Sequence, residues 1–226
     1  MSWHSLAGMG TDARGTRHGR AFALATAIAI AALPASTAHA KSFGAKLSRP
    51  ANAAETCQSF IFFQQVPSCS WTTSGAQFNP AESMVVPGTG TITRVRIRVG
   101  PQTGPMRISI LQSLRKENSG ESACCIGRRQ TRVFTPKPNA ITSLKVHLPV
   151  SSTFNRTSRI YAFDGIFLTM VNASTPIPAN ASDPNTGNCS GGWFPAVRPG
   201  QENFTGPYGF CGYTILIRAD WQPKRR

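Results

Sequence analysis

A row of arginines is the first feature of this 226-residue chain that could do chemistry. The segment Thr91–Val99 reads TITRVRIRV and alternates polar with apolar residues. If it forms a strand, Arg94, Arg96 and Arg98 project from one face and lie about 6.5–7 Å apart. Arginine makes paired hydrogen bonds to carboxylate, sulfate and phosphate groups. The row therefore predicts a surface for an anionic ligand, with a solubilising outer face as the alternative.

Other strands could extend this row. Met106–Gln112 reads MRISILQ, with its methionine and isoleucines on one face. If the turn Gly100–Pro105 closes a hairpin, Arg107 lies beside the arginine row. Lys145 and His147 alternate with apolar residues in a further strand and are expected to join it.

Aromatic residues form the second candidate site. Trp193, Phe194, Phe204, Tyr208 and Phe210 occur among Gly, Asn and Pro between Cys189 and Cys211. Flat rings stack on the C–H faces of sugars, and asparagine amides bind hydroxyl groups. We therefore predict Trp193, Phe194, Tyr208 and Phe210 as ligand-binding residues. The alternative is a small hydrophobic cluster that pins a long loop to the domain.

No residue pattern indicates catalysis, a cofactor or a metal. His147 is predicted to be a solvated strand residue, and Asp164, which precedes a glycine, to be a turn residue. The acidic residues are scattered and show no spacing typical of a glycosidase pair. Nucleophile-elbow, phosphate-loop and dinucleotide motifs do not occur in the sequence. We predict no enzyme activity and no bound cofactor.

The beginning of the chain is typical of an export signal. Basic residues at positions 14, 17 and 20 precede an uncharged apolar run at 21–33, and Ala38 and Ala40 are small residues suited to cleavage. A run of 13 residues is shorter than the about 20 needed to span a membrane. The sequence predicts a signal peptide at 1–40, a flexible lead-in at 41–56, and a secreted or cell-envelope protein without a membrane span.

The remaining chain is strongly basic, with 21 Lys and Arg against 8 Asp and Glu, a net charge of +13. Such a charge attracts anionic surfaces in a salt-dependent way. No nucleic-acid-binding motif occurs in the sequence, and export takes the protein away from most nucleic acid, so we predict no nucleic-acid partner.

Cysteine usage fits an oxidising compartment. All six cysteines follow the export signal: Cys57, Cys69, Cys124, Cys125, Cys189 and Cys211. An even number in an exported chain predicts disulfides, but not their pairing. Bridges 57–69 and 189–211 would each close a local loop, and the adjacent pair either forms a vicinal bridge or reaches two separate partners. One remaining His and the absence of a Cys-x-x-Cys motif argue against a zinc site.

Short segments of period-two alternation dominate residues 57–226 and predict one domain. Predicted strands cover 59–66, 91–99, 106–112, 131–135, 141–148, 166–171 and 213–221, with weaker candidates at 83–86 and 160–163. No window has a helical period over three turns. Strands with one apolar face must bury it against a second sheet, so we predict an all-β, antiparallel β-sandwich of about eight strands. Residues 172–212 are predicted to form a long loop.

Two sequence features carry a family resemblance. Val86–Thr93 reads VPGTGTIT and leads into a strand, a Gly/Pro turn and a second strand, and Asp164-Gly165-Ile166 opens a later strand. In this pattern the chain resembles secreted jelly-roll β-sandwich proteins of high-GC bacteria and, distantly, carbohydrate-binding modules. The resemblance spans roughly residues 57–221 and implies a jelly-roll fold.

These observations together predict a monomeric, exported, non-catalytic binding protein. Its expected ligand is a polysaccharide or an anionic cell-surface polymer. The alternatives are a secreted glycan hydrolase and a structural envelope protein without a ligand.

Overall fold

Alternating side chains produce a structure whose regular elements are almost all strands. The computed structural model describes residues 40–60, 66–73, 82–119, 122–181, 189–203 and 208–224. All of these residues belong to one unit that spans Thr37–Arg226. The described residues contain a short 3-10 helix, Cys57–Phe60, and thirteen strands. The strands are β1 (Lys41–Gly44), β2 (Cys69–Thr73), β3 (Gly90–Arg98), β4 (Met106–Lys116), β5 (Ser122–Gln130), β6 (Ile141–Val150), β7 (Ser152–Asn155), β8 (Ile160–Met170), β9 (Ala179–Ala181), β10 (Cys189–Trp193), β11 (Tyr208–Cys211), β12 (Tyr213–Ile215) and β13 (Ile217–Pro223).

Two antiparallel sheets form the sandwich. The four-stranded sheet has the order β1-β13-β3-β6. The seven-stranded sheet has the order β11-β10-β2-β8-β4-β5, and β7 pairs with β8 beside this path. Strands β9 and β12 form a small separate ribbon. The predicted all-β antiparallel sandwich is confirmed, with more strands than the expected eight.

The main core consists of the inward side chains of both sheets. In β3 and β13 these are branched aliphatic residues and a tryptophan, and in β4 and β8 they are methionine, isoleucine and leucine. The central members are Ile92, Val95, Ile97, Met106, Ile108, Ile110, Ile166, Leu168, Met170, Ile217 and Trp221. Apart from Ile92 and Val95, which are three positions apart, they lie at alternate positions of their strands, so burying them against the opposite sheet removes a continuous apolar face from water.

Several predicted strand boundaries were wrong. The predicted strand at 59–66 begins in the 3-10 helix, and 61–65 lies outside the described residues. Residues 131–135 form a single bridge, between Phe134 and Met106, and Val85 likewise makes one bridge, to Gly165. The sequence prediction missed β5 altogether. Its residues include CCIGRRQ, which has no regular apolar alternation.

The lead-in at 41–56 is part of the domain and not a loose segment. Strand β1 pairs with β13 in the four-stranded sheet. Beyond it, Ala45, Leu47 and Leu216 form a small buried cluster. The prediction failed because the uninterrupted apolar alternation is short, at Phe43, Ala45 and Leu47, and the partner strand supplies the rest of the burial.

The predicted long loop 172–212 also contains regular structure. Strand β9 and the paired strands β10 and β11 fall within it. Disulfides join Cys57 to Cys69 and Cys189 to Cys211, as the local loops suggested, and Cys124 is bonded to Cys125. The vicinal alternative is therefore the one that the structure adopts.

The predicted signal peptide at 1–40 lies outside the described residues, apart from its last residue. Within the described ranges, no helix has the length and apolar character needed to cross a bilayer. The three disulfides are compatible with an extracellular location.

Candidate anion-binding face and end pocket

The outer side of the four-stranded sheet gathers five permanent cations, which we call the cationic face. It consists of Arg94, Arg96, Arg98, Lys145 and Arg218. In β3 the arginines alternate with buried Val95 and Ile97, so the predicted row on one side of the strand is confirmed. The exposed His147 follows Lys145 on the same side of β6.

A bulge sets the direction of the β3 side chains. The pairing of β13 with β3 skips Thr93, because consecutive residues of β13 lie opposite Arg94 and Ile92. Such an extra residue bends a strand and re-aims its side chains. Ile92 and Val95 can therefore both enter the core although they are three positions apart, and the arginines face away from it.

The strand register places cations next to each other. Arg94 lies opposite Lys145 of β6, and Arg96 lies opposite Arg218 of β13. Directly opposite residues of antiparallel strands have Cβ atoms about 4.5–5.5 Å apart, where like charges repel. The sequence did not identify Arg218, because only the pairing with β13 brings it to this row.

One carboxylate partly compensates this charge. Asp220 accepts a hydrogen bond from Nη2 of Arg96, and its Oδ2 lies 3.7 Å from Nε of Arg94. The Ser42 hydroxyl also donates to Asp220, at 2.7 Å. The side chain of Arg94 stays 51% exposed, against 15% for Asp220. Asp220 thus holds two guanidinium groups in place and leaves a net charge of four positives on the cationic face.

Arg107 does not join the cationic face, so that expectation was wrong. Strand β3 pairs with β13 and β6, whereas β4, which carries Arg107, pairs with β8 and β5 in the seven-stranded sheet. The turn at 100–105 therefore crosses from one sheet to the other instead of closing a hairpin. Arg107 is half-buried opposite Thr169.

The aromatic residues do not form an exposed stacking platform. Trp193 is only 3% exposed and packs with Leu111, Phe167, Val197 and Cys125 in a second, smaller core. Its ring meets Phe167 edge to face, with 5.0 Å between centroids. An indole enclosed in this way offers no face to a sugar, so the structure contradicts the stacking role predicted for Trp193.

Phe194 and Phe210 instead pack around Trp71 in the main core. Their ring centroids lie 5.7 and 5.3 Å from that of Trp71, and both rings are half-buried. The side chain of Tyr208 lies outside the described part of the structure. For these phenylalanines the arrangement matches the alternative interpretation, in which an aromatic cluster pins the loop to the sandwich.

The second core lies on the outer face of the seven-stranded sheet and is covered by residues 194–203, which we call the strap. The strap pairs with β5: Gly127 N donates to Gln201 O at 2.8 Å, and Gly200 N donates to Gly127 O at 2.9 Å. Gln130 Nε2 donates to the carbonyl of Val197 at 3.2 Å. The strap therefore adds a short extra edge to the sheet.

We expect Gly127→Ala to loosen the strap. A Cβ at this position would overlap the carbonyl oxygen of Arg198, which is backbone and cannot rotate away. We expect a loss of about 1–3 kcal/mol in the free energy of unfolding, measured by urea denaturation. Gly209→Ala is the matched control, because a Cβ there meets no atom within 4 Å. Equal urea midpoints for the two variants would contradict the close contact.

Sequence reasoning missed a pocket beside the strap, which we call the end pocket. It has a volume of about 390 Å³ and lies where β6 leaves the four-stranded sheet. Its walls are Gly127, Arg128, Arg129, Pro149, Val150, Ser151, Asp164 and Gly200. No pattern in the sequence joins these residues, because they come from four separate segments.

Asp164 gives this pocket a buried carboxylate. It lies within β8 and is 3% exposed, so the predicted turn role was wrong. Its Oδ2 accepts hydrogen bonds from the backbone N–H and the hydroxyl of Ser151, at 2.7 and 3.3 Å. Desolvation raises the pKa of Asp164, and the bonds from Ser151 and the charge of Arg128 partly oppose this rise.

Comparison with known proteins gives no match for this chain among family models, curated proteins or solved structures. The resemblance to secreted jelly-roll proteins therefore stays a prediction. Among the described residues, no group of three or more His, Cys, Asp or Glu is placed to hold a metal ion.

Proposed function

We propose that this protein is an exported, non-catalytic binding protein for an anionic polysaccharide or another anionic cell-surface polymer. The observation that supports this most directly is the cationic face, which carries five permanent cations and one carboxylate on the outside of one sheet. A sheet surface of this kind is open along its length, as a polymer requires.

The spacing of the cationic face suits a repeating anion. Neighbouring strands lie about 4.7–4.9 Å apart, and alternate residues along one strand about 6.5–7 Å apart. The cations of β3, β6 and β13 thus form a grid and not a single point charge. A chain with a charged group on each unit can contact several of them at once, which multiplies weak individual contacts.

The ion pairs with Asp220 do not prevent binding. Arg94 and Arg96 share this one carboxylate, and the pair with the half-exposed Arg94 contributes only about 0–1 kcal/mol. Arg98 donates to the carbonyl of Leu47 at 3.2 Å, a neutral acceptor that leaves its charge uncompensated. A polyanion that supplies several carboxylates or sulfates can therefore compete for these guanidinium groups.

Binding to two charged polymers, polygalacturonate and dextran sulfate, tests the proposal, with neutral dextran as the uncharged comparison. We expect the wild-type protein to bind both charged polymers in calorimetry or biolayer interferometry and to lose affinity when salt rises from 50 to 200 mM, because salt screens such contacts. We expect Arg94→Gln/Arg96→Gln/Arg98→Gln to weaken binding about ten- to hundredfold, since three modest charge contacts are lost.

A second triple variant provides the matched control. Lys116→Gln/Arg132→Gln/Arg156→Gln removes the same charge from exposed positions in or beside strands of the seven-stranded sheet. Equal losses in the two variants would show that net charge alone matters and would overturn the proposed face. Shortening of the polymer would favour the hydrolase alternative, and the absence of binding to any polymer would favour a structural role.

A further inference from the structure

The end pocket combines two cations with one carboxylate at an end of the sandwich. Strand β6 ends at Val150, and the chain passes through Ser151 into β7, which pairs with β8 in the other sheet. The pocket lies at this crossover and is closed on one side by the strap turn at Gly200. Its volume of about 390 Å³ falls within the range of small-ligand sites.

Two adjacent arginines line this pocket because of a bulge in β5. In the pairing with β4, Ile110 lies opposite Arg129 and Leu111 opposite Gly127, so Arg128 is an extra residue. Consecutive side chains of a regular strand point to opposite faces, and a bulge removes this constraint. Both guanidinium groups can therefore serve the same cavity.

Neither arginine is committed to another partner. Within the described chain, Arg128 and Arg129 form no ion pair and no side-chain hydrogen bond, and both are exposed at the pocket. Arg128 acts on Asp164 only through its charge. Their donors are thus free for an anion from solution, and two neighbouring guanidinium groups can hold a carboxylate through several parallel hydrogen bonds.

Asp164 favours a ligand that carries hydroxyl groups. Its Oδ2 accepts from Ser151, whereas within the described residues Oδ1 accepts a single long hydrogen bond, from Gln112 Nε2 at 3.4 Å. A buried carboxylate oxygen with spare acceptor capacity is stabilised by a donor from the ligand. A simple carboxylate such as acetate offers no such donor and is repelled by Asp164, and a neutral sugar offers the arginines hydroxyl acceptors but no negative charge.

We propose that the end pocket binds a single hydroxylated carboxylate of the uronate type. Arg128 and Arg129 bind the ligand carboxylate, and Asp164 accepts hydrogen bonds from its hydroxyl groups. This site is separate from the cationic face, shares no residue with it and does not depend on polymer binding.

Titration with small molecules, followed by amide NMR, tests this proposal. We expect D-glucuronate or D-galacturonate to shift the amide signals of Gly127, Ser151 and Gly200, which line the pocket. We expect acetate, which has no hydroxyl, and glucose, which has no carboxylate, to bind at least tenfold more weakly. Monomeric probes make no multivalent contact, so the result is independent of the polymer experiment.

Variants separate the two roles. We expect Arg128→Gln/Arg129→Gln to weaken uronate binding at least tenfold without unfolding the protein, because both residues are exposed. We expect Asp164→Asn, which keeps the size of the side chain, to reduce the preference for glucuronate over acetate. The control Arg132→Gln/Arg156→Gln should leave the titration unchanged.

Three results would overturn the proposal. Acetate that binds as tightly as glucuronate would show a general anion site, and glucose that binds as tightly would show that the ligand carboxylate plays no part. The absence of shifts at the three pocket amides would show that the cavity takes neither uronate.

Discussion

Replacement of Trp71 by alanine is expected to lower the free energy of unfolding by about 3–5 kcal/mol. Trp71 is fully buried in β2, in the middle of the seven-stranded sheet. Phe210 of β11 and Phe194, which directly follows β10, pack on its ring. The Cys189–Cys211 disulfide joins these two strands. The opposite residue, Gly192, has no side chain, so the indole ring fills this space, and truncation leaves a cavity.

Urea denaturation, followed by circular dichroism, measures this loss. Phe154→Ala is a suitable control, because Phe154 is an exposed aromatic residue of β7 and, among the described residues, its ring stacks on Tyr161 alone. Its loss is expected to cost less than about 1.5 kcal/mol. If Trp71→Ala were no more destabilising than the control, the aromatic cluster would not anchor the region 189–211.

Removal of Arg49 is the second large effect that we expect. Its Nη1 lies 2.8 Å from Oε2 of Glu82, whose side chain is 1% exposed, while that of Arg49 is 31% exposed. Arg49→Met removes this cation from a buried carboxylate, which costs about 3–5 kcal/mol. Glu82→Gln leaves a cation that water still reaches, so it should cost only about 1 kcal/mol.

The decisive measurement is the difference between these two variants in the free energy of unfolding that each loses. Both variants break the Arg49–Glu82 ion pair, but only Arg49→Met leaves the charged partner of that pair, the Glu82 carboxylate, in the interior. Arg49 also donates to Thr214 Oγ1 at 3.3 Å and so ties the segment after β1 to β12. Similar urea midpoints for Arg49→Met and Glu82→Gln would contradict the burial that the structure assigns to Glu82.

Predictions from the sequence were most accurate for features that depend on a single strand. The side shared by Arg94, Arg96 and Arg98 follows from alternation within β3 alone. The position of Arg107 depends on which sheet receives β4, and a Gly/Pro turn does not specify this. Arg218 joins the same face only through strand pairing, which is a long-range property.

Burial of the candidate site residues was less predictable than strand position. Trp193 follows two glycines in a segment rich in turn-forming residues, which suggested exposure, but the strap covers it. Strand β5 was missed because two bulges interrupt its alternation at the cysteine pair and at Arg128. The bulge at Arg128, which made β5 unrecognisable from its sequence, also forms the wall of the end pocket that contains Arg128 and Arg129.

The position of β13 has a consequence for how the chain is made. This strand lies between β1 and β3, so an inner strand of the four-stranded layer comes from residues that are synthesised after those of the other three strands. Until Ile217–Pro223 leaves the ribosome, β1 lacks its neighbour, and β3 with β6 is a two-stranded ribbon of marginal stability. The four-stranded layer therefore stays incomplete until these residues have emerged. For the exported protein proposed above, the missing strand delays folding of this layer, which favours threading through a translocation channel.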